Sequence, residues 1–136
     1  MFRILFACSA VLIAEARSLY AIDPTWKPAF PEGSDVFSGV AVAEKACVPG
    51  STAGEVYVTQ RGNASINPVL VFDPDGKLLR TWGNDALAFG GAHGIAVECL
   101  PSGSTTPATV RVWVDDFTNH TLTAFDPFGR QLVQAG

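Results

Sequence analysis

The 136-residue chain is poor in the side chains that most enzyme chemistry needs, with three cysteines, two histidines, two tyrosines and one methionine. No basic cluster occurs anywhere, and 9 Lys and Arg stand against 13 Asp and Glu, for a net charge of −4. A mildly acidic chain without a cationic patch argues against nucleic acid and anionic membrane surfaces as partners. There is no Ser-His-Asp set, no phosphate-cradling glycine motif and no C-x-x-C, so hydrolase, nucleotide and redox readings have nothing to rest on. No window holds apolar residues at sustained spacings of three and four, which leaves little room for helix. No apolar run reaches the roughly 20 residues of a membrane span.

What is present begins at the N-terminus. Arg3 precedes a small and apolar run from Ile4 to Ala14, and Ala14-Glu15-Ala16 has the form of a cleavage site. Residues 1–16 therefore read as a signal peptide, and the protein as secreted or lodged in the lumen of the secretory pathway. Its removal takes Cys8 with it and leaves Cys47 and Cys99 in an oxidising compartment, either as one disulfide or as two unlinked thiols. Asn63-Ala64-Ser65 and Asn119-His120-Thr121 are glycosylation sequons, so Asn63 and Asn119 are candidate glycan sites of a glycoprotein.

Residues 17–36 contain Pro24, Pro28 and Pro31 and read as an irregular lead-in. Beyond them, short runs of Val, Ile, Leu, Tyr and Trp alternate with Gly, Pro, Asp and Asn, the punctuation of strands. The chain also repeats itself. Ser38-Gly39-Val40-Ala41-Val42 matches His93-Gly94-Ile95-Ala96-Val97, Val56-Tyr57-Val58 matches Val112-Trp113-Val114, and the Phe72-Asp73-Pro74-Asp75-Gly76 turn matches Phe125-Asp126-Pro127-Phe128-Gly129, at spacings of 53 to 56 residues. Each copy predicts four antiparallel strands, the last two joined by a D-P-x-G turn in which proline presets φ and glycine takes the positive φ. That unit is a β-propeller blade. The expected fold is all-β, with a first blade over 37–83 and a second over 84–136, two blades of an incomplete ring. A single four-stranded sheet with two apolar faces needs neighbours on both. Trp113, Phe125 and Phe72 are the expected filling between blades, and Trp82 a less certain member.

The innermost strand of each blade lines the axis of a propeller, so the residues that open those strands converge there. Gly39-Val40 and Gly94-Ile95 open the two inner strands, and His93 stands at the head of the second, where an imidazole could meet metal ligands from other blades. Arg61 reads as standing at the spot where blade repeats usually place an aspartate, as Asp116 does nearby in the second copy, and a surface salt bridge is the plain alternative for it. Asp115 and Asp116 read as loop residues that cap nearby backbone.

The G-[IV]-A-V, V-[YW]-V and F-D-P-x-G signature resembles the NHL repeat. Ser38 to Ala41, Arg61-Gly62, His93 to Ile95 and Trp113 to His120 together resemble the lyase domain of the peptide-amidating enzymes, peptidylamidoglycolate lyase. The resemblance implies cleavage of a peptidyl-α-hydroxyglycine to a peptide amide and glyoxylate. It implies His93 as a zinc ligand, Arg61 as the partner of the substrate carboxylate, and the backbone carbonyls of Val40 and Ile95 as ligands of a structural calcium. The chain also departs from that family. Two further zinc histidines, the acidic calcium ligand and the tyrosine base have no counterpart: His120 is not carried over, and neither Tyr20 nor Tyr57 aligns with the base. The expectation is thus an N-terminal third of such a lyase without a complete active site. The alternatives are a non-catalytic secreted propeller binding a protein or glycan, and a fragment that persists only through self-association or complementing blades.

Overall fold

In the computed structural model, residues 24–44, 53–100 and 109–136 are described. The expected signal peptide and Cys47 lie outside them. The described residues contain eight strands and no helix: β1 (Phe37–Val42), β2 (Val56–Gln60), β3 (Val69–Phe72), β4 (Leu78–Trp82), β5 (Ala92–Leu100), β6 (Thr109–Asp116), β7 (Thr121–Phe125) and β8 (Gln131–Ala135). They form two four-stranded antiparallel sheets, ordered β1-β2-β3-β4 and β5-β6-β7-β8. This is the expected all-β architecture, two blades of an unclosed propeller.

The hairpin turns show why the local sequence is so regular. Asp73 Oδ1 accepts from the backbone N–H groups of Asp75 (3.0 Å) and Lys77 (2.8 Å), while the Gly76 N–H reaches Asp73 O at φ = 86°. Asp126 does the same for Phe128 and Arg130, both at 2.9 Å, with Gly129 at φ = 90°. An Asx-type cap followed by a left-handed glycine fixes the register of both hairpins without help from the core.

Strand alternation gives each sheet two faces, and the blades stack face to face in one sense. The face of the first sheet carrying Tyr57, Val69, Val71 and Trp82 packs on the face of the second carrying Val112, Val114 and Phe125, all buried in one cluster. The rings of Trp82 and Phe125 lie 5.0 Å apart across this interface. Trp82 also lies over Gly129, where a Cβ would come within 2.6 Å of it, so the turn glycine is required twice, for its φ and for the aromatic above it.

Two of the aromatics expected between the blades lie elsewhere. Phe72 belongs to the opposite face of the first sheet, with Val58 and Leu70. There it meets Phe30 at 5.1 Å and Trp26 at 6.3 Å, both edge-on, so the irregular lead-in is a cover for this face. Trp113 is half-buried on the outward face of the second sheet, its Nε1 donating to Glu98 Oε2 at 3.0 Å. The cause is the sense of stacking: Tyr57 and Trp113 are repeat equivalents facing the same way, and among the described residues only the first has a blade beside it.

One ionic cluster ties the blades together. Arg80 makes a bidentate pair with the buried Glu55 (2.7 and 3.1 Å), accepts nothing, and donates through Nε to Pro127 O of the second blade at 2.8 Å. The Tyr57 hydroxyl donates to Glu55 Oε2 at 2.9 Å and accepts from Arg80 Nη2 at 3.0 Å. Burial, then the hydrogen bond to Glu55, pushes the Tyr57 hydroxyl well above the usual phenol range. Burial alone would lower the Arg80 pKa, but its bonds to Glu55 and Tyr57 outweigh that and raise it.

Candidate functional site

The inner corner of the interface positions the sequence-predicted residues. β1 and β5 are neighbours, and Ser38 Oγ donates to Ala92 O while Thr59 Oγ1 donates to His93 O, each at 2.9 Å. A side chain at Gly39 would run into the His93 carbonyl at 2.7 Å, so this close approach of inner strands requires glycine. Val40 and Ile95 thus sit on adjacent inner strands. Val40 is 65% exposed, whereas Ile95 packs against the shared core.

Arg61 follows the end of β2, held by its N–H on Val36 O at 3.1 Å. Its repeat partner is Phe117, because the second strands align with a spacing of 56 residues; the position matching Asp116 is therefore Gln60. That corrects the alignment by one residue, and the chemistry agrees. Asp116 is buried and accepts from the N–H groups of Ala88 (2.7 Å), Thr118 and Asn119 (both 3.0 Å). Gln60, equally buried, accepts from Asn63 N–H at 3.3 Å and donates through Nε2 to Asn63 O, Ile66 O and Asn67 O. Both close the loop after the second strand of their blade, the capping role expected of Asp116. Asp115 bonds the Gly94 N–H and so steadies the head of β5.

The corrected alignment explains a contact that the sequence left hidden. The Arg61 guanidinium lies 5.5 Å over the Phe117 ring, and the His93 imidazole meets the same ring edge-on at 5.9 Å. Residues from two blades thus gather on one aromatic at one end of the stack. Arg61 makes no ion pair among the described residues, contrary to the plain alternative, and its Nε is buried without a hydrogen-bond partner. Beside it opens a cavity of about 310 Å³ lined by Arg61, Asn63, Asn84, Leu87 and Phe89. Phe89 is 67% exposed at its rim and Phe117 48% exposed. Neither phenylalanine was singled out in the sequence. The signal for Phe117 was its match to Arg61, once the spacing is set correctly.

The chain is 35% identical over 121 residues to NHL repeat-containing protein 3 of Mus musculus, a match covering 85% of this chain. The chain is related to the NHL-repeat proteins. It spans 29% of the length of that relative. No family model matches it, and no solved structure matches it. The finer likeness to the peptide-amidating lyases finds no support in these comparisons. The NHL relationship covers both blades and agrees with the stacked sheets.

The implied metals can be tested against the residues present. Zinc takes about four ligands; His93 offers one nitrogen, its ring packs on Phe117, and no group of three or more His, Cys, Asp or Glu stands together among the described residues. Calcium takes about six to eight oxygens, and the carbonyls of Val40 and Ile95 are two. These residues by themselves do not fit either ion.

The other candidates are dispersed. Cys99 is disulfide-bonded, with its expected partner Cys47 outside the described residues. Asn63 donates through Nδ2 to Gly33 O at 3.1 Å, and Asn119 to Asp116 Oδ2 at 3.0 Å, so each sequon amide serves a loop contact in the folded chain.

Proposed function

We propose that this chain is the two-blade part of a non-catalytic NHL-type scaffold that binds an anionic group of a partner at the Arg61 end of the stack. One observation carries the reading: Arg61 lies over Phe117 with its Nε buried and unbonded beside an open cavity. A buried donor without a partner is costly, and an acceptor entering the cavity would relieve that cost. A guanidinium suits a planar carboxylate, and the exposed rings of Phe89 and Phe117 offer apolar contact around it. The signal-peptide-like N-terminus and the two sequons suit a secreted protein with a protein or glycan ligand.

The test is calorimetric titration with short peptides ending in a free carboxylate and with the same peptides amidated. The carboxylate series should bind, the amides about tenfold more weakly, and Arg61→Gln should erase the difference. Equal binding of both series, or an unchanged preference in Arg61→Gln, overturns the reading.

A second reading is favoured by the meeting of Arg61 and His93, from different blades, on the single ring of Phe117. In a lyase acting on peptidyl-α-hydroxyglycine, Arg61 would hold and orient the substrate carboxylate, and Phe117 would fix the angle of its guanidinium. Glyoxylate release from that substrate, lost in both Arg61→Gln and His93→Ala, would replace the scaffold reading with this one. An inactive chain leaves the scaffold reading in place.

A further inference from the structure

The repeat makes the two blades comparable residue by residue, and the comparison exposes two unmatched halves of one interface. Sheet one docks on sheet two through Tyr57, Val69 and Val71; their equivalents in sheet two are Trp113, Leu122 and Ala124, on the face turned away from blade one. Leu122 is 45% exposed there and Val133, beside Ala124, 47%. The receiving half is duplicated too. Ile95 and Val97 of β5 pack against the shared core, whereas their equivalents on β1, Val40 and Val42, are 65% and 49% exposed. On the rest of that first-sheet face, Phe72 is covered by the lead-in rings of Trp26 and Phe30.

We infer that the open face of the second sheet docks a second copy of this chain, head to tail, through the Val40 and Val42 side of that copy's first sheet. The contact continues the blade-to-blade interface already formed, with the same parity of strands and the same sense of stacking. It is heterologous, so every copy keeps one open half, and assembly proceeds until the ring closes. Trp26 and Phe30 compete with the incoming sheet for the Phe72 side, and so hold the association in check. Val133 stands at the position of Arg80, so the Trp113 face lacks that buried cation; its own charges, Glu98 and Arg111, lie on the β5-β6 side of the face and pair with each other at 3.8 Å.

Sedimentation of the chain without residues 1–16, across a concentration series, is the test. Species larger than one chain should grow with concentration. Val133→Glu or Leu122→Glu should weaken association by tenfold or more, about the effect of burying one carboxylate at an apolar contact. Leu79→Glu, an exposed apolar residue of β4, should leave it unchanged. The double change Trp26→Ala with Phe30→Ala should strengthen association by about tenfold, as the cover is removed, and adding Val133→Glu should reverse that gain. The last comparison guards against misfolding, since loose aggregation would survive the added charge. A chain that stays monomeric at all concentrations, or an association indifferent to Val133→Glu, overturns the inference.

Discussion

The two blades are near-copies in sequence and opposites in surroundings. Tyr57 is 1% exposed, bonded to Glu55 and Arg80 and pressed between sheets, while Trp113, its repeat equivalent, is half-buried with one bond to Glu98. Val97 packs in the core and Val42 lies open. The difference teaches that a residue's worth in this fold is set by whether a neighbouring sheet covers its face, and hardly at all by its place within its own blade.

Paired substitutions, followed by urea unfolding, sharpen the contrast. Tyr57→Ala should cost about 4 kcal/mol, because it removes a buried ring and leaves part of the Glu55 cluster unsatisfied; Trp113→Ala should cost about 1 to 2 kcal/mol. Equal costs would mean that the blades do not stack as described. Arg80→Met should cost about 3 kcal/mol, since Glu55 is then buried without its cation. The companion change Arg111→Met, which breaks an exposed 3.8 Å pair with Glu98, should stay within about 0.5 kcal/mol. Ile95→Ala should cost about 2 kcal/mol and Val40→Ala within about 0.5 kcal/mol.

The same contrast carries a pH dependence. The Tyr57 hydroxyl has a raised folded-state pKa, so the folded chain holds its proton where the unfolded chain has begun to lose it. Its contribution is fully present below about pH 10, the ordinary phenol value, and declines as pH rises above that. Tyr57→Phe should flatten the alkaline fall of stability while costing about 1 kcal/mol at neutral pH. An unchanged alkaline slope in Tyr57→Phe would place the titrating group elsewhere.

How much of this was legible in the sequence depends on the range of the interactions involved. The D-P-x-G turns were readable because Asp73, Gly76, Asp126 and Gly129 act within five residues of themselves. The repeat, and with it the four-stranded blade, was readable because it is written twice. Which face of a blade meets its neighbour was not: both faces alternate apolar residues, and only the sense of stacking separates Tyr57 from Val58. Hence Trp113 and Phe72 were expected between blades, and Trp82 was undervalued, although its seat on Gly129 belongs to the other copy. The lead-in looked irregular and is irregular; its cover of Phe72 depends on Trp26 and Phe30 meeting residues some forty positions away. At the site, a one-residue difference between the spacings of first and second strands hid the match of Arg61 with Phe117 and of Gln60 with Asp116. His93 stood out as a histidine set among glycines and Arg61 through the resemblance of Arg61-Gly62 to the lyases, whereas Phe89 and Phe117 resembled core.

A double-mutant cycle across the interface tests the stacked-blade account most directly. Trp82→Ala and Phe125→Ala, singly and together, should show a coupling of about 1 kcal/mol in urea unfolding, because their rings are 5.0 Å apart on different sheets. Strictly additive losses, with no coupling between the two rings, would contradict the shared core and with it the corner where Arg61, Phe117 and His93 meet.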